Sequence, residues 1–260
     1  NNDFDFQFFA DKVLIEQLDF SNKSFQMKGL LDLDLAYERS TLKNNLNFDG
    51  NVYGFSLNDL KMGDLSFFTD GNTQSNSYDI NLLLSDEGNE TLVGTGKIIG
   101  INDKPNLDID LCLKQFNLSF LNPIGKGEID NIRGIVSGEI NVNGTIKDLK
   151  HDGKLILENG GLAITDVNTD YTLKSGTIVN LNNQTFNFQP TTFRDIKFGT
   201  EGQVSGKIEH NSFRNWAFDF DISTDRILMI NINENDDSVF FGDGFIGGKI
   251  DLYGPSKNLT

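Results

Sequence analysis

A single cysteine, Cys112, rules out an intrachain disulfide and leaves the redox compartment open. It sits between Leu111 and Leu113 on the polar side of an alternating run, with no partner beside it that would activate a thiol. Proline is nearly as scarce. Pro105, Pro123, Pro190 and Pro255 all fall at the boundaries of apolar runs, where a missing N–H costs nothing. No stretch approaches the roughly 18 consecutive apolar residues of a membrane-spanning helix. The opening Asn1-Asn2-Asp3-Phe4 lacks the basic and apolar regions of a signal peptide. Because the chain starts and stops inside strand-like text, it reads as a piece of something longer. Cations are also few: 22 Lys and Arg against 38 Asp and Glu give a net charge of −16. That balance excludes a nucleic-acid surface, which needs clustered cations to displace counterions from phosphates. The acid excess reads instead as a solvated face.

Catalytic constellations are missing too. The two histidines, His151 beside Asp152-Gly153 and His210 between Glu209 and Asn211, read as exposed loop residues rather than general bases. No nucleophile elbow, phosphate-cradling loop or zinc-protease motif occurs. Asp219 and Asp221 flank Phe220 and read as the wet side of a strand rather than a glycosidase pair. The oxygen-rich stretch Asn231–Asp237 begins like a calcium loop, but its sixth position is Asp236 and its twelfth is Gly242 rather than Glu. The expectation is therefore no enzyme, no metal and no cofactor.

What the chain has in abundance is a two-residue rhythm. Phe4-Phe6-Phe8, Leu31-Leu33-Leu35, Leu107-Ile109-Leu111-Leu113, Phe116-Leu118-Phe120, Ile140-Val142, Leu155-Leu157, Phe186-Phe188 and Trp216-Phe218-Phe220-Ile222 each skip one residue per step. Successive strand side chains point to opposite faces, so such runs encode one apolar and one polar face. The segment Phe9–Leu18 could form a turn or two of helix, but Val13 and Ile15 favour strand. The pairs Asp49-Gly50, Asp70-Gly71, Asn143-Gly144, Asp152-Gly153, Asn159-Gly160 and Asp243-Gly244 are of the kind that tolerates positive φ, and several separate alternating runs as hairpin turns should. This punctuation predicts about eighteen to twenty mostly antiparallel strands of roughly six to nine residues, in one continuous body spanning residues 1–260. A degenerate repeat, strand–Gly–excursion–Leu, runs over Gly138–Leu149 and recurs over Gly248–Leu259, with a weaker copy from Gly94 to Leu107. Repeats of this kind point to an extended stack.

On those repeats the sequence resembles the TamB and AsmA-like family of the translocation and assembly module, in its Bacteroidetes-type style. The strings are Gly134–Gly138, Val142–Gly144, Leu149, Gly153–Leu162, Phe240–Gly248 and Ile250–Pro255, and the resemblance is strongest over residues 116–260. It implies an all-β, taco-shaped sheet enclosing an apolar groove in the periplasm. A segment absent here would anchor the parent protein in the inner membrane. Its partner would be a TamA-like outer-membrane barrel of the Omp85 class, and its role phospholipid movement between membranes or support of outer-membrane protein assembly.

Alternation alone also fits a closed sandwich that fills its own core; the repeats and the resemblance favour the open groove. The expected lining is Leu107, Ile109, Leu111, Leu113, Phe116, Leu118, Phe120, Ile140, Val142, Leu155, Leu157, Phe186, Phe188, Trp216, Phe218, Phe220 and Ile222. The expected ligand is a phospholipid acyl chain. Two other readings stay open: a scaffold that offers sheet edges to nascent barrel strands, and a surface adhesin or glycan-binding repeat.

Overall fold

The structure, a computed structural model, describes residues 3–18, 25–40, 44–101, 104–125, 127, 129–145, 147–212, 214–232 and 241–255. The all-β expectation is borne out, and the strands pair antiparallel with their sequence neighbours. The chain divides into two compact units, one comprising Asn1–Phe116 with Glu139–Lys150 and the other Asn117–Gly138 with His151–Thr260.

The first unit is a meander of β1 (Phe4–Leu14), β2 (Met27–Arg39), β3 (Asn44–Leu57), β4 (Leu60–Asn72), β5 (Ser77–Asp86), β6 (Asn89–Ile99) and β7 (Asn106–Asn117). It also takes the end of β8 (Ile129–Thr145) and the start of β9 (Asp148–Ile164). The second unit holds the rest of β8 and β9, followed by β10 (Thr169–Leu173), β11 (Thr177–Asn182), β12 (Thr185–Asp195), β13 (Glu201–Asn211), β14 (Arg214–Ile232) and β15 (Gly242–Pro255). In this unit β9 pairs with both β10 and β11, and those two short strands lie end to end between β9 and β12.

The Asx-Gly pairs are corrected. Asp49-Gly50, Asp70-Gly71, Asp152-Gly153, Asn159-Gly160 and Asp243-Gly244 lie inside strands, and Asn143-Gly144 closes β8. The first two have a packing reason. A Cβ at Gly50 would overlap the Phe67 ring on the neighbouring strand, and one at Gly71 would overlap the buried Tyr78 ring. These glycines give up a side chain so that a large ring can lie across them. Hairpin turns instead form at Asn58-Asp59 and Glu87-Gly88, where both residues of each pair have positive φ, as type I′ turns require.

Because glycine continues a strand here rather than ending it, strands are longer and fewer than expected. Fifteen are described, and β8 and β9 each run 17 residues. Pro190 lies inside β12, not at a boundary, at the register shift between Phe188 and Thr191 that takes its missing N–H out of the ladder. The segment Phe9–Leu18 is strand as far as Leu14, then a 3-10 turn over Ile15–Gln17.

Leu118 and Phe120 are not on a strand. The Asn117 side chain accepts the Ser119 N–H at 2.9 Å and starts a 3-10 turn over Leu118–Leu121, which runs into the four-residue helix α1 (Asn122–Gly125). This cap offers the backbone a local alternative to the ladder. Asn122 then ties the turn to β8 by accepting the Ile132 N–H at 2.6 Å and donating to its carbonyl at 3.0 Å.

Each unit has its own core. In the first, Ile15, Leu31, Val52, Phe55, Met62 and Leu84 cluster, with Phe116 packed against them. In the second, Tyr171, Phe193 and the fully buried Ile227 cluster, and the Tyr171 hydroxyl donates to the Leu228 carbonyl at 2.6 Å.

Candidate functional site: an apolar sheet face in each unit

Directly paired residues of an antiparallel ladder share a face, so the register reads out the composition of each face. In the first unit one row runs Val13, Leu31, Val52, Leu65, Leu84, Leu92, Leu113, and the next runs Ala10, Leu33, Gly50, Phe67, Leu82, Gly94, Leu111. Ile109 and Leu107 extend the same face on β7. Asn141 donates to Asp108 at 3.0 Å and to Asp110 at 2.9 Å on the opposite face, which puts Ile140 and Val142 on the apolar side of β8.

The second unit repeats the arrangement. Leu181, Phe186, Ile208 and Phe218 form one row, and Leu155, Val179, Phe188, Gly206, Phe220 and Leu252 form another. Ile222 pairs with Val204 on one side and Ile250 on the other. Leu157 is buried opposite Thr177, and Trp216 stacks on Phe186 with ring centroids 6.4 Å apart.

Of the expected lining, then, the residues on β7, β8, β9, β12 and β14 stand on one apolar face within their own unit. Leu118 and Phe120 do not, because they lie in the turn that Asn117 initiates. Residues overlooked by the sequence reading include Phe48, Val52, Phe67, Val179 and Leu181. The alternation through Phe48 and Val52 is interrupted by Gly50, whose explaining ring, Phe67, lies on the next strand, and Val179 and Leu181 belong to a strand of only six residues, too short for a strong alternating signal.

These faces are only half-buried away from the core clusters: Leu35, Phe48, Ile80, Ile109, Phe188 and Phe220 all keep partial exposure. On the edge strand β1, Phe6 is 46% and Phe8 47% exposed. Within each unit, among the described residues, no helix is long enough to cover a sheet face and no second sheet is present. The opposite face is polar and acidic, and carries Cys112 opposite Val93 as well as the exposed Asp219 and Asp221.

Both histidine assignments are corrected. Because Asp152-Gly153 continues β9, His151 is a strand residue, 1% exposed. His210, 6% exposed, lies near the end of β13. Their Nε2 atoms are 2.7 Å apart. Burial lowers the pKa of His151, and burial followed by the charge of His151 pushes that of His210 down to about 4.

Asp195, also on the apolar side, closes its own loop. It accepts the N–H groups of Phe198 and Thr200, each at 2.6 Å, and the Thr200 hydroxyl. Burial raises this carboxyl's pKa, but those hydrogen bonds together outweigh it and hold the group below the usual carboxylate range. The calcium-like stretch falls largely on 233–240, outside the described residues, and no cluster of three or more metal-binding side chains occurs among those described. Comparison with family models, with curated proteins and with solved structures finds no match.

Proposed function

We propose that the chain is a segment of a periplasm-spanning bridge of the TamB and AsmA-like kind, whose apolar face, curled into a groove, holds phospholipid acyl chains in transit between two membranes. The observation that supports it is the run of apolar cross-strand rows left half-exposed within each unit. A closed sandwich would pack such rows against a second sheet.

The energetics suit a conduit. Each buried methylene contributes about 0.8 kcal/mol relative to water, so a sixteen-carbon tail gains roughly 13 kcal/mol. Relative to a bilayer the same tail gains almost nothing, which lets it enter and leave. Phe, Leu and Ile offer no fixed polar contact to hold one lipid, and the phosphate head stays in water at the seam. The reading needs no catalytic step and no cofactor. In the parent protein an inner-membrane anchor and a TamA-like outer-membrane barrel would complete the path.

Native mass spectrometry of protein purified from a bacterial periplasm, with lipid extraction, tests this. Wild type should carry phospholipid, and Phe218→Arg, which puts a charge into one of these apolar rows, should lose it while keeping its far-ultraviolet circular dichroism. A lipid-free, monodisperse wild type would overturn the reading. The scaffold reading would then lead, since β1 and β15 each pair on one side only among the described residues.

A further inference from the structure

His151 and His210 lie 59 positions apart and meet across the tip of the β11–β12 hairpin. The His151 N–H donates to the Asn183 carbonyl at 2.6 Å, and the His210 N–H donates to the Gln184 carbonyl at 3.0 Å. The two outer strands therefore grip the turn from both sides. In strand order β9 and β13 are three intervals apart, about 14 Å on a flat sheet. Their rings touch because this end of the unit curls toward its apolar face. Phe186 lies against both rings, with centroids 4.5 Å from His151 and 5.5 Å from His210. Trp216 adds a wall 5.1 Å from His210.

We propose that the His151–His210 pair is an acid-released clasp that ties β9 to β13 over Phe186 and closes this end of the apolar face. The proton count explains the release. In the neutral pair one ring donates its Nε2–H to the lone pair on the other Nε2. One added proton leaves a donor and an acceptor in place, so the bond survives. A second proton sets N–H against N–H, with two positive charges in an apolar pocket, and the bond cannot form.

The ring neighbours Phe186 and Trp216 are uncharged, as are the turn residues Asn183 and Gln184. Among the described residues, charged groups at this end include Lys150 and Asp152 flanking His151, and Glu209 beside His210 with its ion-pair partner Lys207 at 2.9 Å; Lys150, Asp152 and Glu209 are exposed. Asp152 favours the charged form of His151, but burial outweighs it. His210, near 4, takes the second proton. The unfolded chain takes up protons near the ordinary histidine value of 6.5, which the folded pair resists. Stability is therefore full above about 6.5, falls as pH drops towards about 4, and levels off once the folded pair is charged.

The clasp's role in admitting or releasing a tail rests on the lipid reading, but its geometry and titration do not. The chain has only two histidines and one tryptophan, so the histidine ring protons and the tryptophan emission report on this cluster alone. The purified protein is titrated from about pH 8 to about 3, spanning the histidine range, with the ring protons followed by NMR, Trp216 by its emission, and exposed apolar surface by an anilinonaphthalene sulfonate dye. We expect neither ring to titrate as an exposed histidine does. A joint change in Trp216 emission and a several-fold rise in dye binding should centre near pH 4, while far-ultraviolet circular dichroism stays constant. His151→Phe with His210→Phe should abolish the joint change. Independent titration of the rings near 6.5, or a transition that persists in the double variant, would overturn the clasp. If the variant does not fold, the wild-type ring titration alone decides. A lipid-free wild type that still shows the transition would keep the clasp and remove its lipid role.

Discussion

Glycines set opposite rings explain much of the local order. At Gly71 a methyl group would overlap Tyr78, which is 3% exposed and has no room to retreat. Gly71→Ala should therefore cost about 1–3 kcal/mol, the usual range for overpacking a filled site, read as a lower urea midpoint with unchanged slope. A neutral result would mean that the ring has another place to go. The pair Asp70-Gly71 looks locally like a turn, since Asx-Gly tolerates positive φ. It is a strand pair because a ring on β5 needs the space, and nothing within a few residues announces that ring. His151 is hidden from the sequence for the same reason: Asp152-Gly153 looks like a turn beside it but continues β9.

At the level of elements, the alternating runs became strands wherever no local hydrogen bond competed, and failed where one did, at Asn117. The strand faces also carry an electrostatic cost. Asp34 lies directly opposite Asp49, Asp5 opposite Glu38, and Asp221 opposite Asp251. Like charges facing each other across a ladder are destabilising by a few tenths of a kcal/mol up to about 1 kcal/mol. Asp49→Lys turns one such pair into an attractive one. It should raise the urea midpoint by the equivalent of about 0.2–1 kcal/mol at low salt, with most of the gain lost at about 1 M salt, where screening acts within about 3 Å. A gain that ignores salt would point to packing rather than charge.

For the whole molecule the charge of −16 sets the dominant long-range interaction. Self-repulsion on the polar faces weakens as the screening length shrinks from about 30 Å at 0.01 M salt to about 10 Å at 0.1 M. The urea midpoint should rise over that range at pH 7, and a fall would mean that surface ion pairs such as Lys28–Asp59 outweigh the repulsion. What the sequence determined by itself was the class of fold and the division of each sheet into an apolar and a polar face, because side-chain alternation is a property of neighbours one and two positions apart. Tertiary structure alone decided which glycines turn and which stay extended, how the chain divides into two compact units, and that two distant histidines meet. Those outcomes depend on rings and strands brought together from dozens of residues away, and no local pattern records such contacts.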